Sequence, residues 1–138
     1  MKSYFWPLEQ LPGLPKESYQ QLSRLGIKTT EHLLKFGNTV EKRQALANDL
    51  HIPMRYIQKW LALSDLARVP AVGCQYCGVL LHAGIISVSQ LAHCSQGQLY
   101  NRIRRLHVQT LTSMHSCPPP DEVALWIQNA KRITPEFN

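Results

Sequence analysis

The sequence is poor in charge, and poorer still in acid. Only 17% of its residues are Asp, Glu, Lys or Arg, against about 25% in an ordinary soluble domain. A surface that carries little charge suits a partner. The 9 acidic residues face 15 basic ones, for a net charge of +6, an excess that favours polyanionic or acidic partners. Three aspartates, Asp49, Asp65 and Asp121, lie far apart in the chain. No apolar run approaches the ~18 residues of a membrane span, so no membrane insertion is expected. The opening Met1–Gln10 stretch reaches Pro7 and Glu9 before an apolar run can build, so no secretory leader is expected either. There is no phosphate loop, no Gly-x-Gly-x-x-Gly and no Gly-x-Ser-x-Gly elbow. No catalytic residue, cofactor or small-molecule substrate is therefore expected. The expectation is a soluble, cytoplasmic protein that is not an enzyme.

What is present is a repeat. The chain has 138 residues and is 44% hydrophobic, enough for one domain or for two small units sharing a core. A shift of 58 residues lays Leu8–Pro15 over Leu66–Gly73 and pairs Leu22 with Leu80, Gly26 with Gly84, Ile27 with Ile85 and Leu33 with Leu91. Leu11 and Val69, Leu14 and Val72, and Thr29 and Ser87 are conservative matches. Further on, Ile57–Leu61 matches Val123–Ile127 at a shift of 66. The second copy thus carries eight extra residues, best placed around Met114–Pro120. Residues 1–65 and 66–138 are read as two diverged copies of one unit.

Each copy reads as helices with clear stops. Pro15 and Gly73 open helices that end at Gly26 and Gly84, where glycine can take the left-handed conformation. Thr29 and Ser87 are N-cap candidates for short helices that end near Gly37 and His93. Ser87–Gln90 and Ser95–Gln98 have the capping-box pattern. Leu99, Ile103 and Leu106 form one apolar stripe. Pro53 starts a helix carrying Ile57, Trp60 and Leu61, and Asp121 precedes its counterpart with Val123, Trp126 and Ile127. No stretch alternates convincingly as a strand, so the expected class is all-α.

The segments Leu11-Pro-Gly-Leu-Pro15 and Val69-Pro-Ala-Val-Gly73 resemble helix-hairpin-helix motifs. Leu25–Leu33 and Ala83–Leu91 look like the stretches that follow such hairpins in translesion-type DNA polymerases. More closely, the arrangement resembles the bacterial, especially cyanobacterial, family called domain of unknown function 4332. The stretch from Trp60–Val69 through Ala83–Ile85 carries most of that likeness, and Val123–Ala130 closes it. The fold implied is two tandem helix-hairpin-helix-like units sharing one compact core. The hairpin likeness implies binding to DNA phosphates: glycines let the backbone approach closely, and N–H groups at the following helix start donate to the oxygens. Such binding ignores sequence and is sensitive to salt. Both hairpins depart from the motif. Pro15 stands at the second glycine of the first and has no N–H to donate. Ala71 stands at the first glycine of the second, where a left-handed backbone costs roughly 1 kcal/mol.

Two functional expectations follow. In the first, Gly13, Lys16 and Gly73 hold nucleic-acid backbone while Arg102, Arg104 and Arg105 supply charge. Arg102 and Arg105 share one helix flank and Arg104 lies on the other. Lys42, Arg43, Arg55, Lys59, Arg24, Lys28 and Lys35 are scattered through the first copy among six acids. In the second, the chain is an adaptor in a protein complex. There the aromatic lead Tyr4, Phe5 and Trp6, which has no counterpart in the repeat, either folds back over the first hairpin or docks into a partner. Cys74, Cys77, Cys94 and Cys117 could be written as a four-thiolate zinc site, but only the first two are closely spaced. Cys77 and Cys94 replace Tyr19 and Phe36 of the first copy, which reads as core packing, so no metal is expected. His82, His93, His107 and His115 form no His-Glu-x-x-His pattern.

Overall fold

The computed structural model describes residues 1–110 and 117–133. His115 and the Met114–Ser116 part of the expected insertion lie outside the described residues. The described chain is helical. A 3-10 turn at Leu8–Gln10 leads into α1 Lys16–Arg24, α2 Thr30–Phe36, α3 Val40–Leu50, α4 Met54–Ala67, α5 Gly73–His82, α6 Val88–Ala92, α7 Gln96–Thr110 and α8 Pro120–Ile133. The class is all-α, as expected. One isolated antiparallel bridge joins Pro7 to Thr29.

Helix ends sit where the punctuation puts them. Thr29 Oγ1 accepts from the His32 N–H and Ser87 Oγ from the Gln90 N–H, at 3.2 and 3.1 Å. Each bond satisfies a donor that the helix itself leaves unpaired. Gly26 and Gly84 both take positive φ, at +85° and +89°, just past the ends of α1 and α5. α4 and α8 each have 14 residues and bury Trp60 and Trp126 at matched places. α3 has no counterpart among the sequence expectations. It buries only Leu46, Ala47 and Leu50, and it ends on His51 in the left-handed conformation, where a glycine would have announced the stop.

A single apolar cluster runs from Leu8 through Leu63, Val69 and Leu80 to Trp126 and Ile133. One buried cation lies beside it. Arg68 follows α4 and is fully buried. Its Nε donates to Asp65 Oδ1 at 2.8 Å, and its Nη1 donates to Ser3 Oγ at 3.1 Å and to the Ile133 carbonyl at 3.4 Å. The other Asp65 oxygen accepts from the Val88 N–H at the start of α6, at 2.8 Å. A buried charge costs little only when it is paired and hydrogen-bonded in this way.

The aromatic lead folds onto the body. Trp6 and Thr30 exchange two bonds, Trp6 N–H to Thr30 Oγ1 at 2.9 Å and Thr30 N–H to the Trp6 carbonyl at 2.8 Å. Trp6 Nε1 donates to the Ala67 carbonyl at 2.9 Å, and Tyr4 N–H donates to the Arg68 carbonyl. The indole covers Gly73, where an added Cβ would come within 2.9 Å of Trp6 Cζ2. The lead therefore folds back, and the hairpin its indole covers is the second, not the first. Phe5 is half-buried, and of the three only Tyr4 stays largely exposed.

Candidate nucleic-acid interface

The two segments that the sequence reads as hairpins share a backbone turn and differ in access. Gly13 has φ +74° and Ala71, 58 residues on, has φ +78°. Alanine thus adopts the left-handed turn that glycine would take freely. In the second hairpin the polar groups are spent internally. The Val72 and Gly73 N–H groups both donate to the Val69 carbonyl. Trp126 Nε1 and Asn129 Nδ2, both on α8, donate to the Ala71 and Pro70 carbonyls at 3.1 and 2.7 Å. Gly73 is buried beneath Trp6. Its expected role in holding a phosphate fails on geometry, because a ring occupies the approach and its N–H already has an acceptor.

The first hairpin is open. Gly13, Pro15, Lys16 and Glu17 are exposed. The N–H groups of Gly13, Lys16 and Glu17 meet no acceptor among the described residues. Pro15 caps α1 without a side-chain hydrogen bond; lacking an N–H itself, it leaves those of Lys16 and Glu17 at the positive end of the helix. Gly78 on α5 faces the turn, and a Cβ added there would stand 3.7 Å from Pro12 Cγ.

A cation not expected at this site joins it. The Lys59 ammonium reaches over the turn, 3.5 Å from where a Gly13 Cβ would stand. Arg55 lies one helical turn earlier on α4, so the two share a face. Its guanidinium sits 5.0 Å from the centre of the exposed Tyr56 ring, a cation–π contact. Arg55, Lys59 and Arg43 line an open cleft of ≈ 650 Å³ floored by Leu34, Leu61 and Leu81. Arg43 is partly engaged, its Nε bonded to the Gly37 carbonyl at 2.7 Å. Among the described residues the cleft's one carboxylate, Asp65, is held by Arg68 and Val88. A usable signal existed in the repeat. At the shift of 66, Arg55 and Lys59 answer to Asp121 and Leu125, so this basic pair belongs to the first half alone.

The expected arginine cluster divides. Arg102 Nη1 donates to the Ala83 carbonyl at the end of α5, at 2.9 Å, and lies against Gly84. Arg104 and Arg105 are exposed on α7. The cysteines do not converge. Among the described residues no group of three or more His, Cys, Asp or Glu side chains is placed to share a metal ion. Cys77 Sγ turns to the Cys74 carbonyl and Cys94 Sγ to the Gln90 carbonyl. Burial pushes the Cys74 thiol up to about 11. Burial, with the neighbouring Cys74 second, takes Cys77 to about 12. Both are thiols at neutral pH and poor nucleophiles.

The family called domain of unknown function (DUF4332) matches residues 12–133. The chain belongs to the DUF4332 family. The DUF4332 match runs from Pro12 in the first turn through all eight described α-helices, and leaves out Tyr4, Phe5 and Trp6. Among curated proteins and solved structures, none matches the chain.

Proposed function

We propose that this chain is a non-catalytic, cytoplasmic module that binds nucleic acid without reading its sequence. It uses the first of two helix-hairpin-helix-like units. Phosphate oxygens accept from the N–H groups of Gly13, Lys16 and Glu17, while Lys59 and Arg55 extend the contact along α4. The supporting observation is the Lys59 ammonium poised over the left-handed turn at Gly13. Donors and a cation converge there on one exposed point, which is what a phosphate requires. The net charge of +6 adds long-range attraction. Arg104 and Arg105 contribute to that field, and Gly73 has no part in contact.

Anisotropy titration of labelled double- and single-stranded DNA across a salt series tests the reading. Micromolar binding at low salt is expected, with a log–log slope of about −3. Lys59→Gln and Arg55→Gln each weaken binding and reduce the slope by about 1. Gly13→Ala weakens binding by straining the turn. Absence of binding at low salt, or a Lys59→Gln protein with unchanged affinity and slope, defeats the proposal. A second reading, an interaction adaptor, draws support from one observation: Leu25 and Phe36 expose 44% and 49% of their surface.

A further inference from the structure

The first half exposes large apolar side chains where the second half has small ones. Leu25 and Phe36 answer to Ala83 and Cys94 at the shift of 58. The fold thus tolerates small residues at both places. In the second half, Arg102 reaches from α7 to the Ala83 carbonyl and fills the corner beside Gly84. In the first half, α3 lines the corresponding region with Ala45 and Leu46. The result is an open groove of ≈ 540 Å³ between the ends of α1 and α2 and the flank of α3. Leu25, Ile27 and Phe36 complete its apolar lining. Lys35 and Lys42 stand at its rim against a single carboxylate among the described residues, Asp49. The Lys35 pair with Glu31 is 3.5 Å long and open to solvent, so Lys35 is readily turned to another carboxylate.

We propose that this groove docks an acidic amphipathic segment of a partner protein, with large apolar side chains on Leu25 and Phe36 and carboxylates on Lys35 and Lys42. This inference rests on the adaptor reading and is independent of the nucleic-acid site on the hairpin and α4. Apolar lining selects a partner with apolar side chains to bury. The rim lysines select the sign of its flanking charge. A sugar–phosphate backbone would meet the lysines and leave Leu25 and Ile27 unused.

The test is selection of a random peptide library on the full chain, followed by affinity measurement of the synthesised winners. The expected consensus is one or two of Leu, Ile, Phe or Trp flanked by Asp or Glu. The double variant Leu25→Ala/Phe36→Ala should bind those peptides about tenfold more weakly or worse. Lys35→Glu/Lys42→Glu should weaken binding and flatten its salt dependence. Both variants should keep the melting temperature, and the alanine variant should keep DNA affinity, which separates failure here from failure of the hairpin reading. If the alanine variant is unstable, Phe36→Cys supplies the residue that the second half already accommodates. A basic or uncharged consensus, no enriched peptide, or winners that bind the alanine variant equally well overturns the proposal. A dimer in sedimentation that Phe36→Ala dissolves also overturns it, since a second copy would then fill the groove.

Discussion

Trp6 is the residue whose role the fold changes most. Its ring is half-buried, its Nε1 is bonded to Ala67 and its face covers Gly73. Trp6→Ala removes that packing and leaves the Gly73 backbone uncovered, so about 2–3 kcal/mol of stability should be lost. A chemical melt measures it, and an unchanged midpoint would return Trp6 to the list of free docking residues. The cysteines give a prediction in pH. Cys74 and Cys77 titrate at about 11 and 12 in the folded chain against 9.0 for an ordinary thiol. The folded state holds these protons more tightly than the unfolded one. Their contribution is therefore complete below about pH 9 and is lost as pH rises through 11 to 12. Urea midpoints from pH 7.5 to 10.5 should fall more steeply for the natural chain than for Cys77→Ala. Parallel slopes would show that burial leaves this thiol's titration unaltered.

At the scale of elements, Arg102, a cation counted toward a ligand, also has a place in the fold. It closes the end of α5 by bonding the Ala83 carbonyl, where a positive charge also meets the negative end of the helix. Arg102→Gln should cost about 1 kcal/mol. Arg104→Gln and Arg105→Gln, on exposed positions of α7, should each stay within about 0.5 kcal/mol of the natural chain in a urea melt. A uniform effect of the three would mean that the bond to Ala83 contributes nothing. Local chemistry was readable in the sequence: Thr29 and Ser87 cap, Gly26 and Gly84 stop, and the two tryptophan helices match. α3 was missed although Thr39 caps it, its Oγ1 accepting from the Lys42 N–H; its three buried residues make only a short apolar stripe, and a left-handed histidine gives no local signal of its end. The left-handed turn at Gly13 was readable for the same local reason. The Lys59 approach to Gly13 and the Trp6 cover on Gly73 were not. Each joins segments far apart in the chain, and periodicity says nothing about such pairs.

Across the whole molecule, Arg68 ties together parts that the repeat alone would leave separate. Its guanidinium touches Ser3 in the lead, Asp65 on α4 and Ile133 at the end of α8, while Asp65 passes the connection on to α6. It also lies at the junction of the two halves, whose apolar faces form one cluster. Removing one partner of a buried pair leaves the other charge without compensation, a loss of about 3–5 kcal/mol. Arg68→Met keeps most of the volume and removes the charge, so Asp65 is left with the Val88 N–H as its described donor. The variant should lose that much stability while still unfolding in one step, since the cluster that both halves line is intact. Far-ultraviolet dichroism and tryptophan emission would then give coincident transitions, at a lower urea midpoint than the natural chain. Trp60 reports the first half, Trp126 the second and Trp6 the contact between them. A two-step melt in the natural chain would show that the halves hold their own cores and that Arg68 links two domains. A one-step melt in both proteins, displaced but not split, would mean that the shared apolar cluster supplies the cooperativity and the buried ion pair supplies stability within it.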